Sequence, residues 1–119
     1  MYRDADLLKL AQGQPCLLQC HPYCLGDEGS TTVAAHSNQI LHNKSKGLKA
    51  DDCMSVWACH KCHEWIDQGP ESRKKKFKIF NEAWYKQVGE WHKIAQNPTI
   101  KPWRKEAAER VLKHIGAIK

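Results

Sequence analysis

The sequence has no apolar run long enough to cross a membrane. Roughly 18 or more consecutive apolar residues are needed for a membrane-spanning helix, and none occurs among the 119 residues. The opening Met-Tyr-Arg-Asp-Ala-Asp lacks the basic and apolar regions of a secretory signal. Internal repeats and low-complexity tracts are absent as well. We therefore expect one small, soluble domain in the cytoplasm, without a membrane partner.

Cysteine occurs six times, mostly in two groups. In a secreted chain this even number would suggest three disulfides, but clustered thiols in a reducing cytoplasm more often bind metal. A Cys-x2-Cys knuckle, residues 59–62, opens a predicted helix and supplies two of the four ligands that structural zinc requires. The upstream group must supply the other two without strain. The predicted zinc ligands are Cys16, Cys24, Cys59 and Cys62.

Two cysteines are left outside this zinc site. Cys20 with Cys24, spaced Cys-x3-Cys, is an alternative upstream pair. Cys53 is expected to be a buried apolar filler.

A second group of chemical side chains consists of His36, His63 and Asp67. His63 and Asp67 are four residues apart, so on a helix they share one face and suit one divalent cation such as Mg²⁺. His36 ends a predicted strand, from which it could deprotonate a water for attack on a phosphodiester. Taken alone, such a pair is more often a packing histidine and a solvated carboxylate. Its position beside the knuckle favours a catalytic metal site.

The pattern of the chain predicts a short helix capped by Asp4 and a cysteine-rich arm that leads into a strand over residues 31–35. A long loop follows over residues 37–52, then a short strand or turn over 54–58 and a helix over 63–68. Apolar residues recur every three or four positions from about 71 to 95, which indicates a long helix. A last helix is predicted from Pro102 to about Ile115.

The net charge of +6 is unevenly distributed. Residues 1–67 carry six Lys/Arg against eight Asp/Glu, a net −2, whereas residues 68–119 carry 13 against five, a net +8. A solvated helix surface is the simplest explanation, but this asymmetry favours a DNA or RNA partner. The predicted nucleic-acid-binding residues are Lys44, Lys46 and Lys49 in the long loop and Arg73, Lys74, Lys75 and Lys76 at the start of the long helix.

These motifs resemble the YbcO-like family of phage and prophage proteins, which have an HNH-type fold. The resemblance is carried by Val33-Ala34-Ala35-His36, by Asp51-Asp52, by residues 57–67 and by the spacing Cys16-x7-Cys24. It covers about residues 5 to 67 and implies a metal-dependent nuclease. Within the wider HNH superfamily, His36 matches the general base, and His63 and Asp67 match the metal ligands that follow the knuckle.

One departure concerns the residue before the base, which is Asp in many HNH enzymes and Ala35 here. Asp51, Asp52 or Asn38 are alternative sources of the missing ligand.

The resulting prediction is an α+β fold: a zinc-stabilised ββα-metal (HNH, treble-clef) core over residues 1–69, with a basic helical extension over residues 70–119 packed on it. The predicted function is DNA cleavage by a metal-dependent endonuclease. A zinc-stabilised nucleic-acid-binding module without catalysis is the alternative.

Overall fold

A computed structural model describes residues 2–39 and 50–119. Its elements, in chain order, are α1 (Ala5–Lys9), β1 (Val33–His36), β2 (Ser55–Ala58), α2 (His60–Gln68), α3 (Arg73–Gln96) and α4 (Pro102–His114). They form a small α+β fold with one two-stranded sheet. Within the described ranges, no helix combines the length and apolar content that a bilayer span requires.

Each predicted helix and strand is present, and the start of the first strand and the start of the helix after the knuckle shift most clearly. The first strand begins at Val33 rather than Thr31, because the Thr32 amide donates to the Gly29 carbonyl and belongs to the preceding turn. Helix α2 begins at His60, three residues before the predicted start, with Cys59 as its N-cap. Most of the predicted 37–52 loop lies outside the described residues, and Lys44, Lys46 and Lys49 lie there with it.

The two strands pair antiparallel, with Val33 opposite Ala58 and His36 opposite Ser55. On the outer edge of β2, the Leu17 amide donates to the Trp57 carbonyl (2.8 Å), and the Trp57 amide donates to the Gln87 side-chain oxygen (2.8 Å). Gln87 is a fully buried residue of α3. These contacts satisfy polar groups that a two-stranded sheet would otherwise leave unpaired in the interior.

Helix α3 packs on β2 and α4, and α4 packs on α1. The predicted apolar stripe of α3 is confirmed in that Phe80 and Trp91 are buried, while Trp84, Val88 and Ala95 pack against the core from partly buried positions. The Trp84 indole N–H donates to the Cys53 carbonyl (2.9 Å). These two tryptophans therefore have packing roles.

Asp4 connects the two ends of the chain. Its carboxylate accepts from the Leu7 amide (3.2 Å) at the start of α1 and from the Arg110 guanidinium of α4 (3.0 and 3.1 Å). Burial acts to raise the pKa of the Asp4 carboxyl, but hydrogen bonds from Arg110, Leu7 and the Tyr2 hydroxyl outweigh it and hold the pKa below 3.8. The contribution of this carboxylate to stability is therefore present above pH 3.8 and is lost as the pH falls through the lower folded-state pKa.

We predict that Asp4→Ala lowers the free energy of unfolding by about 1–2 kcal/mol at neutral pH, because it removes a helix cap together with an ion pair. Asp4→Asn is the matched variant, since asparagine caps a helix as well as aspartate does but carries no charge. It should lose only the smaller ionic part. Urea unfolding at neutral pH and near pH 3 measures both effects, and a difference between wild type and Asp4→Asn that persists undiminished at the lower pH would contradict the assignment.

Candidate metal centre and active-site cleft

Four cysteines converge where the cysteine-rich arm meets the start of α2. The Sγ atoms of Cys16, Cys24, Cys59 and Cys62 all lie within 4.8 Å of one another. Three of the four residues are buried, and Cys24 is half-buried. Four convergent sulfur ligands suit a tetrahedral zinc ion, so this cluster could hold a metal such as zinc.

Backbone amides surround the sulfur atoms and favour their thiolate form. The Cys20 and His21 amides lie 3.3 and 3.4 Å from the Cys62 sulfur, and the Gly26 amide lies 3.4 Å from that of Cys24. Without a metal, the Cys62 hydrogen bond and then burial raise the pKa of Cys16 to about 12. A metal must therefore displace thiol protons when it binds.

Cys20 lies beside the cluster but is not one of its four members. Its amide faces the Cys62 sulfur, and its thiol lies 3.9 Å from the Cys62 carbonyl. Among the described residues, the geometry thus groups Cys24 with Cys16 rather than with Cys20. Cys53 is buried elsewhere, as expected for an apolar filler, although its neighbours include charged side chains.

His36 ends β1, as the sequence predicts, and its imidazole is held by a buried carboxylate. Its Nε2 lies 2.8 Å from Oδ1 of Asp52, whose side chain is only 5% exposed. The Asp4 amide (2.7 Å) and the Arg3 guanidinium (3.2 Å) donate to the same carboxylate. Two donors therefore fix Asp52, and Asp52 in turn fixes the His36 ring.

The His63 and Asp67 side chains meet on one face of α2, as their spacing predicts. His63 Nε2 lies 3.5 Å from Asp67 Oδ2, and the Asn38 amide group donates to Asp67 Oδ1 (2.9 Å). Both side chains are 40% exposed, so solvent and a ligand can reach them. The pair offers two ligands to one cation. Within residues 2–39 and 50–119, no third His, Cys, Asp or Glu completes a closely spaced group with them.

A single cleft brings these residues together. It has a volume of about 610 Å³ and is lined by His36, Asn38, His63 and Asp67 together with residues of α1 and β1. Lys9 of α1 contributes a positive charge to the wall. Sequence reasoning found His36, His63 and Asp67, but it considered Asp52 only as a metal ligand. The role of Asp52 as the partner of His36 depends on the return of the chain from residue 50 to the sheet, which no local pattern encodes.

The basic start of α3 lies away from the cleft. Arg73, Lys74 and Lys75 are exposed, and Lys75 pairs with Glu71 (2.8 Å). The Lys76 amine lies 6.0 Å from the ring centre of Trp65, which is two residues from His63 and hence on a nearly opposite face of α2. None of these four cations lines the cleft.

Comparison with known proteins identifies a family. The model of the family described as "Putative nuclease YbcO" matches residues 5–108. The chain belongs to this family. The match extends well past residue 67, where the resemblance seen in the sequence motifs ends, and covers all of α3 and half of α4. No curated protein and no solved structure matches the chain. Membership in the YbcO family supports a nuclease-type function with nucleic acid as the substrate.

We predict that Cys59→Ser removes the metal from the four-cysteine cluster and destabilises the fold by several kcal/mol, because the binding free energy of structural zinc, roughly 10 kcal/mol or more, is also folding free energy. Cys20→Ser is the matched control, since it changes an adjacent thiol but keeps the amide that faces Cys62. It should retain the metal. Elemental analysis and thermal denaturation of protein purified under reducing conditions measure both effects. Stoichiometric disulfides without zinc would contradict the assignment.

Proposed function

We propose that this YbcO-family protein is a metal-dependent DNA endonuclease with an HNH-type core, in which His36 is the general base. The observation that carries the proposal is the placement of His36, held by Asp52, on the wall of the cleft that also contains His63 and Asp67. A base fixed by a carboxylate and a ligand pair for a cation are the two parts that hydrolysis of a phosphodiester needs.

The contact between His36 and Asp52 assigns separate tasks to the two ring nitrogens. With the proton on Nε2 donated to the carboxylate, Nδ1 keeps its lone pair and can accept a proton from water. The oxygen of that water attacks phosphorus, the bond to the leaving sugar oxygen breaks, and solvent protonates the leaving group. The Asp52 charge stabilises the imidazolium that forms.

His63 and Asp67 would hold the divalent ion, which in such sites stabilises negative charge on the scissile phosphate and the leaving oxygen. Their half-exposed position and 3.5 Å separation fit an oxygen- and nitrogen-ligated cation such as Mg²⁺. Asn38 fixes Asp67 through its amide group, so its side-chain oxygen is available as a further polar group. Asp52 is committed to His36, Arg3 and the Asp4 amide, and it is therefore a poor substitute for the acidic ligand that Ala35 does not provide.

The order of the elements supports the proposed HNH-type core. A cysteine-bearing arm, the antiparallel pair β1 and β2, and helix α2 follow one another, and the knuckle begins directly after β2 and continues into the first turn of α2. This is the arrangement expected of a treble-clef ββα-metal core. Phage or prophage recombination and DNA packaging are the processes that the family resemblance implies.

We predict that His36→Ala abolishes cleavage of supercoiled, linear and branched DNA, with a loss of about 100- to 10,000-fold, because no equivalent base replaces the imidazole. Zinc content, fold and DNA binding should be unchanged. Nicking assays with several divalent ions and an EDTA control measure the effect. His60→Ala is the matched control, since His60 is an exposed residue of α2 that does not line the cleft.

Companion variants separate the roles within the cleft. Asp52→Asn should lower the rate less than His36→Ala does, because it keeps the imidazole base and removes only the carboxylate charge that orients it. His63→Ala and Asp67→Ala should be partly rescued by additional Mg²⁺ or Mn²⁺. If wild type cuts no DNA under any condition, or His36→Ala cuts as well as wild type, the nuclease mechanism is wrong and a non-catalytic DNA-binding module replaces it.

The basic start of α3 is proposed to bind DNA backbone at a distance from the cleft. The exposed pair of Lys75 with Glu71 is weak enough to exchange for a phosphate. The loop lysines Lys44, Lys46 and Lys49 are proposed as further contacts.

We predict that changing Lys74, Lys75 and Lys76 together to Gln makes the negative slope of log affinity against log salt less steep by about two to three units. Each lysine that contacts a phosphate releases about one counterion. Changing Lys93, Lys101 and Lys119 to Gln is the charge-matched control and should leave the slope near the wild-type value. Binding measured at several salt concentrations tests this, and equal slopes for the two triple variants would assign the α3 cluster to solvated surface.

A further inference from the structure

A second group of metal-ligating side chains lies on the side of the molecule where the chain ends meet. Asp51 and Cys53 belong to the turn that enters β2, and His114 is the last residue of α4. One ligand atom from each of the three lies within 4.8 Å of the other two. Asp51 is 8% exposed and Cys53 is 4% exposed, so two of the three ligands are buried.

We propose that Asp51, Cys53 and His114 form a second metal site, selective for a borderline-soft divalent ion such as zinc. A thiolate, an imidazole and a carboxylate are the three ligand types that zinc takes in proteins, whereas Mg²⁺ and Ca²⁺ prefer oxygen alone. Ligand atoms around zinc lie about 3 to 4 Å apart, given metal–ligand bonds of roughly 2.0–2.3 Å. A small inward movement of the exposed His114 side chain would bring the three ligand atoms to the separations found around zinc.

Backbone contacts hold the turn in the required shape. The Met54 amide donates to the Asp51 carbonyl (2.9 Å), and the Asp52 amide donates to the Tyr2 carbonyl (2.9 Å). The Trp84 indole fixes the Cys53 carbonyl from α3 (2.9 Å). Asp51 and Cys53 are thus placed before any ion binds, and this reduces the ordering cost of binding.

The third ligand is held by stacking and by the end of α4. The His114 ring stacks on Tyr2 with 4.3 Å between ring centres, which occupies the ring face and leaves the edge nitrogens for a metal. The Ala117 amide returns to the Leu112 carbonyl (2.8 Å), so the helix end is closed in a fixed geometry. The C-terminal end of a helix carries partial negative charge, and this further favours a cation there.

The site would leave one tetrahedral position to water, because three protein residues supply three ligands. An open surface depression lined by Tyr2, Asp4, Lys113 and His114 exposes His114 to solvent. A bound ion would join the C-terminal end of α4 to the turn that carries Asp52. The inference does not rest on the proposed nuclease function, because none of the three ligands lines the catalytic cleft.

The test uses cobalt(II) as a spectroscopic probe on full-length protein whose four-cysteine cluster already holds zinc. Titration should produce a thiolate-to-cobalt charge-transfer band, which a cobalt ion at His63 and Asp67 cannot give, while the zinc content stays at one. His114→Ala and Cys53→Ser should each lose that band and weaken cobalt binding by more than the roughly 10- to 100-fold typical of an outer-shell partner. Asp51→Asn should also weaken binding.

His92→Ala is the matched histidine control, and it should bind cobalt as wild type does. Cys53→Ser alters a buried position, so His114→Ala, at an exposed position, decides the outcome if the serine variant does not fold. Thermal denaturation should show an added stabilisation by cobalt in wild type that His114→Ala lacks. A stoichiometry of one metal per wild-type chain at saturating cobalt, or unchanged binding in His114→Ala, would overturn the proposal.

Discussion

The meeting of four sulfur atoms at the start of α2 is the constraint on which the other functional positions depend. Cys59 directly follows β2 and caps α2, and Cys62 lies in the first turn of that helix. Fixing these two residues sets the direction of α2 and hence the face that carries His63 and Asp67. The same two residues anchor the end of β2, to which β1 and its terminal His36 are paired. A sheet of two short strands has too little apolar surface to define these positions alone.

The helices after residue 69 add further contacts that hold the sheet and His36 in place. The buried Gln87 of α3 satisfies the outer edge of β2, and Arg110 of α4 pairs with Asp4, whose amide donates to Asp52. A chain of contacts therefore leads from the C-terminal helix through Asp4 and Asp52 to His36. The helical segment supports His36 as well as carrying positive charge.

Features that depend on spacings of a few residues could be predicted from the sequence. Contacts between residues far apart in the sequence could not. The α3 stripe, the Asp4 cap and the pair formed by His63 and Asp67 follow from spacings of three or four residues. The grouping of Cys24 with Cys16 also followed from the need for two unstrained sulfurs. The Asp52 contact to His36 and the convergence of His114 on Cys53 join residues far apart in sequence. Tertiary packing brings these residues together, and local periodicity carries no information about it.

The contacts of Asp52 explain why this carboxylate is better suited to orient His36 than to bind a metal ion. The Asp52 carboxylate accepts from Arg3 and the Asp4 amide and lies 2.8 Å from the His36 ring in a buried site. In the proposed reaction it faces the imidazolium that forms on His36. A cation bound directly to Asp52 would oppose protonation of the same ring. In the proposed mechanism, separation of the orienting carboxylate from His63 and Asp67 therefore reduces the repulsion between the bound cation and the imidazolium.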